Sequence, residues 1–387
     1  MNTTQNKGLL KRLEKPLAIT MWDFSWLLSE GFGDIDKALD ELVERGYDAV
    51  RVDVFPTALD HFMRTGETEY TYPGTGEDTI WGNYNEVTWN TPAMVEKMMR
   101  GLIDRGIAIG ISTWVRWAKQ ENTNVDLDGV KAIWDNAIRF LEERDLMHNI
   151  LYIDLMNEYP RNHTFTWVYS EAINQASRET TGMEHMATVE ELKFDAFEAK
   201  VWKKISVELL DYFHDKHPQY DFTLSLVKMM YDGDIEQYVA VDKLDTLDPH
   251  LWFAFHPELA EKYHLGAAGR HNEQDLIQMD QELEADWQAK KDSYIQWMDE
   301  KITEMADLAD KYGITVGNTE GWGMVGWKEY PSVGWEFIKR AAELSIEMCK
   351  KHPCYKYITT SNFTHPFFDS LWADVEWHKK VTDMIKN

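Results

Sequence analysis

Short apolar or β-branched runs alternate with long amphipathic stretches along almost the whole chain, and this rhythm restricts the fold more than any other feature. The runs are "LAITMW" (17–22), "DAVRVDVF" (48–55), "IAIGISTWV" (107–115), "ILYIDLMN" (150–157), "FTLSLV" (222–227), "KLDTLDPHLWF" (243–253), "ITVGNTEGW" (314–322) and "YITTSNF" (357–363). Between them lie helical patterns. "DIDKALDELVERGY" sets Ile35, Leu39 and Leu42 on one face, with Gly46 as a stop. "TPAMVEKMMRGLIDRGI" opens with Thr91 as the expected N-cap and Pro92 at the first helical position. "VDLDGVKAIWDNAIRFLEERDL", "FDAFEAKVWKKISVELLDYFHDKHP", "SYIQWMDEKITEMADLADKYGI" and "VGWEFIKRAAELSIEMCKKHP" follow the same logic. Parallel strands joined by helices produce such a pattern.

Eight strand candidates, most followed by a helix, predict an α/β chain folded as a (β/α)8 TIM barrel with loop insertions at its C-terminal face. An open doubly wound sheet is the alternative. It would more often carry a Gly-rich phosphate turn after its first strand, and "MWDFSWLLSEGFG" is not one. No linker, low-complexity run or repeat divides the 387 residues, so one domain over 1–387 is expected. Two insertions stand out: Asn162 to Glu191, on the side where Glu158 sits, and the acidic "ELAEKYHLGAAGRHNEQDLIQMDQELEADW" ahead of the helix that follows strand six. Long loops after strand ends are where barrels keep substrate-specific surfaces.

Composition narrows the partners. A net charge of −27 argues against nucleic acid, which needs clustered Lys and Arg. Seventeen Trp and 13% aromatic residues suit sugar faces better than bases when no basic patch is present, although core packing accounts for most of them. No run reaches the ~18 apolar residues of a membrane span, and "MNTTQNKGLLKRLEKPLAIT" lacks an apolar signal core. A soluble, cytoplasmic protein is therefore expected. Cys349 and Cys354 read as free thiols of a reducing compartment; two cysteines alone make no structural zinc site. There is no Gly-x-Ser-x-Gly elbow, Walker loop or His-Glu-x-x-His, and His264 and His271 lack ligand spacing and read as surface residues. No metal site and no cofactor are expected; the oligomeric state is open.

In TIM barrels, active sites lie where the strands end. Here those ends carry Trp22-Asp23, Arg51 and Asp53, Thr113-Trp114, Asn157-Glu158, His250 and Trp252, then Asn318, Glu320 and Trp322, and finally Ser361-Asn362. Glu158 and Glu320 end the fourth and seventh strands, on opposite sides of a closed barrel, so their side chains can converge over its mouth. Two facing carboxyl groups suit glycoside hydrolysis, one donating a proton and the other attacking the anomeric carbon or activating water. Arg51 on a buried strand needs an anion; Asp53 or Asp23 would supply a purely structural pair. His256 rivals His250 as the strand-end histidine.

"LMNEYP" resembles the Asn-Glu-Pro signature of retaining glycoside hydrolases of clan A, the cellulase-like barrels, with Tyr159 inserted before Pro160. "VGNTEGWG" resembles the clan's nucleophile strand, Arg51 its strand-two arginine, and His250-x-Trp252 its strand-six His-x-Tyr, over Ile19 to Phe363. The closest likeness is to the intracellular, sugar-binding cellulase-like proteins. The resemblance implies that Glu158 is the general acid/base and Glu320 the nucleophile, held ionised by Arg51. It also implies that Asn157 bonds the sugar 2-hydroxyl and that one of Trp22, Trp114, Trp252 and Trp322 stacks on a ring. Asp23 and His250 join them as expected substrate-side residues. The expected substrate is a β-linked oligosaccharide or glycoside. A sugar-binding barrel without chemistry is the second hypothesis. A sugar-acid isomerase or lyase is a third; it needs a metal cluster or a lysine base at the strand ends, and neither is evident.

Overall fold

The computed structural model describes residues 6–28, 30–74, 85–121, 123, 125–160, 174–180, 182, 196–227, 235–263 and 272–387. Most of the 162–191 insertion, together with His264 and His271, lies outside these residues.

Eight parallel strands form the frame: β1 (Leu17–Trp22), β2 (Ala49–Asp53), β3 (Ala108–Ser112), β4 (Ile150–Asp154), β5 (Phe222–Thr223), β6 (Thr246–Leu247), β7 (Thr315–Asn318) and β8 (Tyr355–Thr359). Their lateral order is β5-β4-β3-β2-β1-β8-β7-β6. The two outer strands meet through Asp245 N to Phe222 O (3.0 Å), Leu226 N to Asp248 O (2.9 Å) and His250 N to Leu226 O (2.7 Å). The sheet thus comes round on itself, and helices surround it, as expected for a (β/α)8 barrel.

Register explains the barrel's interior. Arg51 on β2 is level with Gly110 on β3, and Gly110 with Tyr152 on β4. A Cβ at Gly110 would lie 2.8 Å from Tyr152, and one at Gly317 only 2.2 Å from the Tyr357 ring. Glycine at these two places lets the Tyr152 and Tyr357 rings fill the lumen, their centroids 5.2 Å apart. Beneath them, Leu10 from the turn Leu10–Arg12 packs with Ile19, Ala49 and Leu151 at the N-terminal end.

Several sequence expectations need adjustment. The run 243–253 is not one strand: Pro249 follows β6, and Leu251–Trp252 pairs separately with Gly321–Trp322. Strand five keeps regular pairing only at Phe222–Thr223, with isolated bridges from Leu226 to Tyr159 and to Pro249. The N-cap of the helix Thr91–Asp104 is Asn90, whose side chain accepts from Ala93 N at 3.1 Å. Thr91 is already helical. The acidic insertion after strand six is largely helical too. Pro257–Tyr263 forms one helix, and from Asn272, which closes a capping box with Asp275, a 40-residue helix runs over Glu273–Tyr312. Leu276, Met279, Leu283 and Trp287 give it a buried stripe at helical spacing within a segment whose charge masked that pattern. Cys349 and Cys354 are free thiols. Among the described residues, no helix is long and apolar enough to cross a membrane.

Candidate active site

The strand ends converge on one guanidinium. Arg51 is fully buried and points into the barrel from β2. Its Nη1 donates to Glu320 Oε1 (2.8 Å) and Thr319 Oγ1 (3.1 Å) beyond β7. Its Nη2 donates to Asp154 Oδ2 (2.7 Å), Asn157 Oδ1 (2.5 Å) and Ser112 Oγ (2.9 Å), at the ends of β4 and β3. The face of the guanidinium lies 4.4 Å from the Trp114 ring centre. The anions that answer Arg51 are therefore Asp154 and Glu320. Asp53 is occupied by the Phe55 and Trp114 amides at 2.7 and 2.9 Å, and Asp23 by Ser25.

Glu158 stands just past β4 with φ of +54°, the left-handed region that costs a residue with a Cβ roughly 1–2 kcal/mol. Strand five holds the turn: Ser225 Oγ accepts Glu158 N at 3.0 Å, and Ser225 O accepts Tyr159 N at 2.8 Å. Strain of this kind tends to persist where it aims a functional side chain. Here it turns the Glu158 carboxyl toward His250 and Glu320.

His250 lies between the two glutamates. Its Nδ1 is 3.1 Å from Glu158 Oε1 and 3.7 Å from Glu320 Oε2. Its Nε2 is 3.3 Å from Arg51 Nη1 and 3.4 Å from Thr319 Oγ1, a hydroxyl that donates to Asp248 Oδ2 at 2.8 Å. Burial first, and the nearby Arg51 second, hold this imidazole well below its ordinary pKa, so it is neutral. The tautomer that fits keeps the Nε2 lone pair toward the guanidinium and Nδ1–H toward the carboxyls.

One oxygen of Glu158, one of Glu320 and one nitrogen of His250 all lie within 4.8 Å of one another. Both glutamates are nearly closed off from solvent, 7% and 6% exposed. Burial raises both carboxyls. The negative charge of Glu320 pushes Glu158 further, well above its ordinary value. Glu320 is raised to about 7, with Arg51 pulling it back. Of the pair, Glu158 therefore holds its proton the more firmly, and the carboxyl bonded to Arg51 is the first to ionise. Glu158, His250 and Glu320 are also the ligand types a metal would need. Arg51 already supplies a cation at the edge of that set, 2.8 Å from Glu320, and a second positive charge there is disfavoured.

The tryptophans are less uniform. Trp22 follows Met21, which is level with the inward-facing Arg51. Alternation therefore turns Trp22 outward, edge-on to Phe32 and Trp372 at 5.1 and 6.5 Å. Trp322 is fully buried, its Nε1 donating to Thr359 O at 3.0 Å, and Trp252 lies edge-on to Phe363. Trp114 gives one face to Arg51. His256 packs against Tyr294 and Trp297, centroids 4.8 and 5.4 Å away, in the helical layer. It is His250 that the fold brings to the glutamates. Asn157, through its Oδ1, faces Arg51, and its buried Nδ2 has no partner among the described residues.

The sequence reading passed over Asp154, Ser112, Ser225, Asp248 and Thr319. Asp154 had a signal: a second buried-strand charge, opposite in sign to Arg51, inside "ILYID". The hydroxyls had none.

The buried acids also predict a pH dependence of stability. Burial raises Asp23 and Asp248 to about 6 and Asp53 to about 7, as it does Glu320. The unfolded chain gives up these protons near pH 4. Between there and pH 7 the native state holds more protons, so this stabilisation is complete at low pH and lost as pH rises. Thermal unfolding is expected to show a higher midpoint at pH 5.5 than at pH 8. An equal or higher midpoint at pH 8 contradicts this account.

Comparison with known proteins places these features in context. A family model described as sugar-binding cellulase-like matches residues 19–386. The chain resembles a candidate glycoside hydrolase from Parabacteroides distasonis ATCC 8503, known from a crystal structure. Identity is 25% and the TM-score 0.79, over 97% of this chain and 94% of that one. It shares the fold of the catalytic domain of a GH26 endo-β-1,4-mannanase from Bacillus sp. JAMB-750, at 13% identity and a TM-score of 0.51, over 98% of this chain and 89% of that one. No curated protein matches the chain by sequence.

Proposed function

The chain belongs to the sugar-binding cellulase-like family, and on that premise we propose that it is a retaining glycoside hydrolase acting on a β-linked oligosaccharide or glycoside. The observation that carries this reading is the pairing of Glu158 and Glu320: one carboxyl oxygen of each within 4.8 Å, with Arg51 bonded to Glu320 and not to Glu158. Retaining enzymes hold their carboxyl groups about 5–5.5 Å apart, whereas inverting ones need roughly 6.5–9.5 Å to admit a water. The short separation supports double displacement. Glu320, ionised beside Arg51, attacks the anomeric carbon while Glu158 protonates the leaving oxygen. Glu158, now a carboxylate, then takes a proton from the water that releases the sugar from Glu320. The Asn157 Nδ2, without a partner among the described residues, suits a hydrogen bond to the sugar 2-hydroxyl. Residues 1–387 are read as a single catalytic domain.

The family's description favours a second reading, a barrel that binds sugar without cleaving it. A binding site has no need of a protonated and an ionised carboxyl facing each other, and burying both is costly. Assay against a panel of aryl β-glycosides and β-linked oligosaccharides separates the two. The enzyme reading expects turnover of at least one member, lost in Glu158→Gln. Sugar binding without turnover across the panel contradicts it.

A further inference from the structure

Asp154 is fully buried at the end of β4, and none of the steps above uses it. Its two oxygens have separate partners. Oδ1 accepts the backbone amides of Ser225 (2.9 Å) and Met156 (3.3 Å), which fixes the carboxylate to β5 and to its own turn. Oδ2 accepts Arg51 Nη2 (2.7 Å), Ser112 Oγ (2.9 Å) and Ser225 Oγ (2.9 Å). The guanidinium is a rigid planar fork, so fixing Nη2 also fixes the direction in which Nη1 meets Glu320. Ser225 links the same carboxylate to the other glutamate, because its Oγ accepts Glu158 N.

Charge leads to the same residue. Among the described residues, the charged and titratable groups acting on Glu158 are Arg51 from β2, Glu320 beyond β7, His250 beyond β6 and Asp154 on its own strand. Asp248 bears on Arg51 and Glu320. Among the described residues Arg51 is the one cation there, since His250 is neutral. A single positive charge facing several carboxyls would favour ionising all of them unless a fixed anion absorbed part of its field.

We propose that Asp154 is a positioning residue that clamps Arg51 Nη2 and divides the guanidinium's charge, so that Nη1 serves Glu320 while Glu158 keeps its proton. The proposal rests on the retaining-hydrolase reading for its kinetic consequence, but its electrostatic part can be measured without turnover.

Asp154→Asn keeps the shape and removes the anion. On a substrate the wild type cleaves, kcat should fall at least about tenfold, because small misplacements of catalytic groups are costly. The alkaline limb of kcat/KM should move toward acid by about one pH unit, because Glu158 then ionises earlier. Ser112→Ala and Ser225→Ala loosen the clamp without altering charge; they should lower kcat and leave that limb in place. A carbon-13 carboxyl titration, with the Glu158 signal assigned through Glu158→Gln, reads the same shift without substrate. An unmoved limb and an unmoved Glu158 titration in Asp154→Asn overturn the proposal. Should that variant not fold, wild-type kcat in both serine variants overturns it. If the wild type cleaves nothing but the Glu158 titration still falls in Asp154→Asn, the hydrolase reading fails and the role of Asp154 stands.

Discussion

Glu320→Ala is expected to lower kcat by about 10⁴-fold or more, the scale on which enzymes lose activity when a covalent nucleophile is removed. In the proposed mechanism Glu320 is the attacking carboxylate, bonded to Arg51 at 2.8 Å, and Glu158 the proton donor facing it. Without it, no glycosyl-enzyme can form. The cavity left by the carboxylate can admit azide, and azide attacking from that side gives a glycosyl azide of inverted configuration. In Glu158→Ala the nucleophile survives, so azide enters at the second step and gives a product of retained configuration. The two stereochemical outcomes assign the roles individually. If Glu320→Ala keeps substantial activity, or azide restores it with retention, Glu320 is not the nucleophile.

Arg51→Met is expected to destabilise the fold by about 3–5 kcal/mol, because breaking a buried ion pair leaves an uncompensated charge. Two carboxylates, Asp154 and Glu320, lose a guanidinium at 2.7 and 2.8 Å, the first fully buried and the second nearly so. With Arg51 gone, the pull that holds the Glu320 carboxyl down is lost: its folded pKa, already above the unfolded one, rises further, the native state binds its proton more firmly, and the deficit grows as pH rises. Denaturant unfolding should therefore show a larger loss at pH 8 than at pH 5. A loss under about 1 kcal/mol at both values would place Arg51 outside the buried electrostatics of the site.

Much of this arrangement was legible in the sequence because barrels put chemistry at strand ends. Glu158, Glu320, Arg51 and His250 each interrupt an apolar run, and topology alone brings such interruptions together. The choice between His250 and His256 was not legible. Both follow the same short run, and only the path after Pro249 turns one toward the glutamates and leaves the other against Tyr294 and Trp297. The expected pairing of Arg51 with Glu320 is present at 2.8 Å, but its second anion was not legible. Asp53 and Asp23 are nearer in sequence, but backbone amides and a serine at the strand ends take their oxygens. Asp154, 103 positions away, holds the guanidinium. Aromatic residues were read least well. A tryptophan at a strand end looks the same whether alternation turns it to the mouth or, as for Trp22, to the helical layer.

The anomeric configuration of the first product formed tests the central claim most directly. Proton NMR during the first minutes of cleavage of a β-glycoside observes it before mutarotation mixes the anomers. Double displacement by Glu320 and Glu158 predicts the β-anomer first, with the α-anomer growing in later. An α-anomer appearing first would mean single displacement by water, and would contradict the account.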